Sequence, residues 1–226
     1  MGILDLVFVA PLRFPMDLVL QWVASLTDNV GISVIVLSLV VNTVLLPLYY
    51  LAEKWQDTER RLQHTLSPRL AAIKEVYKGE QRHRKTVELY REFNYHPIKS
   101  LRASFGLLIQ IPFFLAAYTL LSHNPMLEGV SFLFMENLGR PDAVFKFTSL
   151  SINVLPLTMT LLNILSSLVY ARDLGVGERI KLLIVAAIFL LLLYNSASGL
   201  VLYWTTSNFY SLVKNLIHGL IENGKS

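Results

Sequence analysis

Four uncharged amide side chains, Asn42, Gln110, Asn163 and Asn208, sit in four separate apolar stretches of this 226-residue chain. An amide inside hydrocarbon must find a partner or water, because an unpaired polar group there costs free energy. Ser38 lies four residues before Asn42 and shares its helical face. Asn163 belongs to a longer series, Asn153, Pro156, Thr160, Asn163, Ser167 and Tyr170, whose steps of three and four draw one polar stripe along a helix. Trp204, Asn208, Ser211 and Asn215 form a similar series. Two uses fit such residues. They could bond between helices, or, where their faces meet, line a hydrophilic cavity inside a membrane. The candidate cavity residues are Ser38, Asn42, Gln110, Asn163, Trp204, Asn208 and Ser211.

Residues for covalent chemistry are not grouped. His64, His83, His96, His123 and His218 are scattered, with no helical pair spaced for a metal. With no cysteine, the chain has no disulfide, thiolate metal site, cysteine nucleophile or lipid-modified cysteine. Gly175-Val176-Gly177 reads as a short turn rather than a phosphate loop. No Asp or Glu falls inside an apolar stretch, which argues against a proton relay. The expectation is a protein with no metal, no cofactor and no catalytic residues.

The elements that hold these side chains follow from charge and hydropathy. The chain is 54% hydrophobic and 16% charged, apolar-rich for a soluble domain. Residues 52–102 hold 12 of the 20 Lys and Arg residues, and uncharged stretches long enough to cross a bilayer lie on both sides. Short Lys/Arg-rich loops stay cytoplasmic. The predicted spans are 30–51, 103–122, 148–170, 182–194 and 199–215. The cluster Asn195-Ser196-Ala197-Ser198-Gly199 splits the last uncharged run, which as one helix would be too long for a ~30 Å core. With the amino terminus outside and the carboxy terminus cytoplasmic, 17 positive residues fall inside and 3 outside. Residues 11–27 read as an amphipathic helix on the outer face, with Leu18, Trp22 and Leu26 at four-residue spacing. MGILDLVFVAP lacks the basic start and long apolar core of a signal peptide, and Leu6 rules against myristoylation.

Residues 52–102 read as a cytoplasmic helical hairpin. A helix over 52–77 carries Trp55, Leu62, Leu66, Leu70, Ile73 and Val76 at helical spacing. Lys78-Gly79-Glu80 makes the turn, and 81–93 forms the second helix. Arg82, Arg84, Lys85 and Arg91 cluster there. They are either a solvated face obeying the positive-inside bias, or a contact for an acidic partner such as ribosomal RNA or lipid headgroups.

Several blocks, in order, resemble the YidC/Oxa/Alb family of membrane protein insertases: GISVIVLSLVVNTVLLPL from Gly31, LSPRLAAIKEVYKGE from Leu66, LLIQIPFFLAAY from Leu107, FLFMENLGRPD from Phe132, VLPLTMT from Val154 and SGLVLYWTTSN from Ser198. The resemblance covers nearly the whole chain. It implies an all-α polytopic membrane protein, with five transmembrane helices around a hydrophilic groove open to the cytoplasm and closed outside. It also implies a hairpin that helps receive nascent membrane proteins, and insertion without nucleotide hydrolysis. The ribosome, the Sec translocon and membrane lipids are candidate partners, specific nucleic acid is not, and a monomer in the bacterial cytoplasmic membrane is expected.

Two positions depart from the family pattern. Family members usually carry Arg five residues before the Pro of the LPL motif, where this chain has Asn42. An Arg ~6 Å from a substrate carboxylate would contribute roughly 3 kcal/mol at an effective dielectric of about 20. Asn42 cannot supply that attraction, so a weaker preference for acidic translocated tails is expected. The second departure is NSASG from Asn195, where Pro is commoner before SG. Other functions stay open at this level: a specialised paralogue assembling one membrane partner, or a small-solute or lipid transporter.

Overall fold

The computed structural model describes residues 8–96, 105–146, 151–170 and 176–223. These are mostly helical: α1 (Ala10–Thr27), α2 (Val30–Val76), α3 (Gly79–Glu92), α4 (Phe105–Leu121), α5 (Val154–Tyr170), α6 (Val176–Leu193) and α7 (Ser198–Asn223). A two-residue antiparallel pair, β1 (Phe145–Lys146) and β2 (Ser151–Ile152), precedes α5. The chain forms two compact units. The first comprises residues 1–44 and 113–226, the second residues 45–112. By length and composition α2 contains a stretch able to cross a membrane, and Gln110–Leu121, Val154–Val169 and Leu182–Leu193 are shorter apolar helices.

In the first unit, α1 ends where Asp28 takes a left-handed conformation (φ 49°) and donates its N–H to the Ala24 carbonyl at 3.0 Å. Met16, Leu20 and Val23 form the buried face of α1. The Leu18, Trp22 and Leu26 series points the other way, each more than half exposed. The helix is therefore apolar on two faces, one packed on protein and one left over.

The segment before α5 corrects the sequence reading. A helix was expected from Thr148, which lies outside the described residues, yet Ser151 and Ile152 pair as strand and the helix starts at Val154. The cause is Asp142, twelve residues upstream. Its Oδ2 accepts from the Val154 and Leu155 N–H groups at 2.6 and 3.0 Å, satisfying donors that a helix start leaves unpaired. Asn153 consequently leaves the expected stripe. It is buried just ahead of α5, accepting from Ala143 N–H and donating to the Tyr194 carbonyl at 2.7 Å. The same connecting segment seats α7: Ser198 N–H and Oγ–H both donate to the Arg140 carbonyl, and Gly199 N–H donates to Leu138. A Cβ on Gly199 would stand 2.9 Å from Leu127 and 3.3 Å from the Leu138 carbonyl, so glycine permits this close approach.

In the second unit, no break separates the expected span from the expected hairpin helix. α2 continues through residues 51 and 52 to Val76. A bilayer boundary changes the solvent, not the backbone, and Leu51-Ala52-Glu53-Lys54 are all strong helix formers. Beyond the turn at Lys78, Leu89 and Tyr95 pack against Leu66, with Leu62, Leu70, Ile73, Tyr90 and Phe93 around them. Glu59 is buried, and its Oε1 accepts from Tyr95 Oη at 2.9 Å and from Gln63 Nε2 at 3.0 Å. Arg69 stacks over the Phe93 ring at 4.7 Å and reaches Glu92. The end of the expected hairpin, 97–102, and the first two residues of the expected second span, 103–104, lie outside the described residues. Two later helices outrun their expected spans: α6 begins at Val176 rather than 182, and α7 continues past 215 to Asn223.

Candidate functional site

The polar side chains of the first unit meet along α7. Toward α2 they form a directed chain of hydrogen bonds. Asn42 Nδ2 lies 2.8 Å from the Ser38 carbonyl, which can only accept, so that atom must be the nitrogen. The same Nδ2 donates to Ser207 Oγ at 2.9 Å. Ser38 Oγ donates to the Tyr203 carbonyl at 2.9 Å. Its proton thus being used, the 2.9 Å contact between the two serines must run from Ser207 to Ser38. Asn42, Ser207, Ser38 and Tyr203 are therefore linked in one direction. Both Asn42 amide hydrogens are committed, and its Oδ1 has no protein partner among the described residues. Asn42 is only 5% exposed, so the interhelical use of this amide is realised. Thr43 Oγ1 and Tyr210 Oη extend the contact at 3.4 Å.

Another face of α7 turns to α5. Asn163 Nδ2 donates to Asn208 Oδ1 at 3.1 Å, and Asn208 Nδ2 donates to the Met159 carbonyl at 3.4 Å. Further along, Asn215 Nδ2 donates to Ser166 Oγ at 3.1 Å. Trp204 parts company with Asn208. It is buried among Phe114 of α4, Phe189 of α6 and Tyr203, at ring centroid distances of 5.1, 5.9 and 5.6 Å. Its indole N–H has no partner among the described residues. Ser211 is half-buried. Gln110, half-buried on α4, belongs to the second unit.

What this arrangement offers is neutral hydrogen bonding. Asn, Ser and backbone carbonyls hold one another between helices, and every bond could be exchanged for one to water or to a polypeptide backbone. Ser207, Tyr203 and Ser166 escaped the sequence reading. Ser207 is third in a Thr-Thr-Ser run whose two threonines bond back to their own helix, so only its register opposite Ser38 and Asn42 distinguishes it.

The family model described as 60Kd inner membrane protein matches residues 22–222. The chain belongs to this family, that of the YidC/Oxa/Alb proteins. It is 28% identical over 194 residues to a membrane protein insertase YidC of Leptospira interrogans (serogroup Icterohaemorrhagiae, serovar Lai), covering 81% of this chain and 30% of that one. Membrane protein insertase YidC 1 of Bacillus cereus is 27% identical over 229 residues, covering 96% of this chain and 81% of the relative. The chain thus spans about a third of the Leptospira protein and most of the Bacillus one. Among solved structures it resembles one described as an active YidC insertase with its first transmembrane domain resolved, at TM-score 0.59 and 25% identity, over 95% of this chain and 46% of that one.

In this YidC-family chain the hairpin's basic residues divide. Arg82, Arg84 and Arg91 are exposed on α3. Lys85 instead donates to Glu88 Oε2 at 2.7 Å. That hydrogen bond raises the pKa of the lysine and lowers that of the glutamate. Both side chains of that pair are exposed, so Lys85 stays at the surface beside the arginines.

Proposed function

We propose that the chain is a membrane protein insertase that receives hydrophobic nascent chains and releases them into the bilayer. Five spans, at 30–51, 103–122, 148–170, 182–194 and 199–215, surround a hydrophilic groove open to the cytoplasm, with residues 11–27 on the outer face. The observation that carries this reading is the family match over residues 22–222, and the half-buried polar contacts of α7 with α5, centred on Asn163–Asn208, support the groove. Such contacts give hydrophilic tails a shortened apolar path, while burial of the substrate's own apolar segment drives release. The hairpin, with Arg82, Arg84, Lys85 and Arg91, receives substrate on the cytoplasmic side. Location in a bacterial inner membrane, multi-pass with the amino terminus outside, fits the family and the charge distribution. The protein works as a monomer with lipids around it, and the ribosome and the Sec translocon are partners to test.

Asn42 shapes substrate choice. Both of its amide hydrogens are already given to Ser38 and Ser207, so a substrate carboxylate would meet only the acceptor Oδ1. Acidic tails gain nothing there. The same commitment supports a second reading, a specialised paralogue serving one membrane partner. Photocrosslinkers at positions 42 and 208 separate the readings. An insertase captures many nascent chains, a dedicated factor captures one protein, and a solute or lipid transporter captures none, which would sink the proposal.

A further inference from the structure

The connecting segment between α4 and α5 carries an apolar tip that no packing explains. Phe132 and Met135 exchange both backbone hydrogen bonds at 2.9 Å, closing a two-residue turn. Its corner residues are Leu133, 77% exposed, and Phe134, 48% exposed. Leu133 sits at φ 52°, a left-handed conformation that costs a branched side chain free energy and persists only where the surroundings impose it. Those surroundings are rigid. Met135, Leu138 and Leu127 are fully buried, and Asn137 Oδ1 accepts from the N–H groups of Gly129 and Gly139. The fold thus holds two large apolar side chains outward in a strained turn.

The location of the tip narrows what can cover it. The Phe132 ring lies directly over Gly31, where any Cβ would collide with it. Gly31 is in the first turn of α2, where the long uncharged run begins, so the tip stands at the level of one membrane–water boundary. In the same unit α1 leaves Phe14, Leu18, Trp22 and Leu26 exposed. Two side chains of at most about 200 Å² each fall well below the ~800 Å² per partner of a stable protein interface. A lipid surface asks for no complementary shape. We infer that Leu133 and Phe134 form an interfacial anchor that inserts into the bilayer leaflet at the α1–α2 corner.

This inference requires that the chain lie in a bilayer, not that it insert proteins, so it stands or falls apart from the proposed activity. The chain has no native cysteine, and single-cysteine labelling is therefore free of background. The full chain carrying Leu133→Cys or, separately, Phe134→Cys would be labelled with an environment-sensitive dye and reconstituted in phosphatidylcholine–phosphatidylglycerol vesicles. Lys78→Cys, in the exposed turn before α3, is the aqueous reference, and Leu191→Cys, 81% exposed on α6, the hydrocarbon reference. The expected result at both tip positions is blue-shifted emission, quenched severalfold more by shallow spin-labelled lipid than by aqueous iodide. Quenching by iodide equal to that at position 78 overturns the inference. So does protection from both quenchers, which would mean a protein covers the tip.

Discussion

At the residue scale, the most informative position is Asn42, and what the structure adds is direction. The sequence shows an amide in an apolar helix with Ser38 four residues earlier, and it leaves open whether that pair faces a helix or water. In the structure the pair is completed by Ser207, which accepts from one side chain and donates to the other. Interhelical hydrogen bonds in membranes contribute on average ~0.6 and at most about 1.7 kcal/mol. Asn42→Ala and Ser207→Ala, each measured by unfolding in detergent, should therefore destabilise the protein and couple favourably by that order in a double-mutant cycle. Strictly additive losses would show that the contact carries no energy of its own. Ser207 could not have been picked from its type, because serine beside two threonines in a membrane helix is ordinary. Only its register against α2 marks it, and register between distant helices is not written in any one segment.

At the scale of elements, helices were legible wherever their limits are local and illegible where those limits are tertiary. The turn at Asp28-Asn29, the Lys78-Gly79-Glu80 turn and the Asn195–Ser198 break all come from residues at the boundary itself, and the structure breaks its helices at each, although Gly79 and Glu80 already belong to the first turn of α3. The start of α5 is set by a carboxylate twelve residues away, so a reading by hydropathy began that helix too early. At residue 51 hydropathy changes while the helix runs on, so the expected span and the expected hairpin helix are one continuous element. Asp142→Ala should leave two N–H groups of α5 unpaired and cost roughly 1–2 kcal/mol, as loss of a helix N-cap does. Hydrogen exchange would show it as faster exchange confined to the first turn of α5. Asp142→Asn, which keeps an acceptor oxygen, should lose less. Equal exchange in all three proteins would deny the cap its role.

At the scale of the whole molecule, family and helical class could be read from short blocks such as QIPFF and SGLVLYW, and the match over residues 22–222 agrees with them. The use made of the polar residues was less legible. Trp204 and Asn208, four apart, read from the sequence as one face, but successive side chains at that spacing drift by about 40° around a helix. On a helix packed against several neighbours that drift sends the indole to an aromatic cluster and the amide to α5. On the proposed function, the membrane core works through neutral hydrogen bonds such as those α7 makes with α2 and α5. The most direct test is reconstitution of the purified chain in liposomes with a short single-span substrate, comparing wild type with Asn42→Arg and acidic with neutral translocated tails. The account predicts that wild type inserts both tails about equally and that Asn42→Arg raises insertion of the acidic tail. Failure of wild type to insert either tail, in vesicles where another family member succeeds, would contradict it.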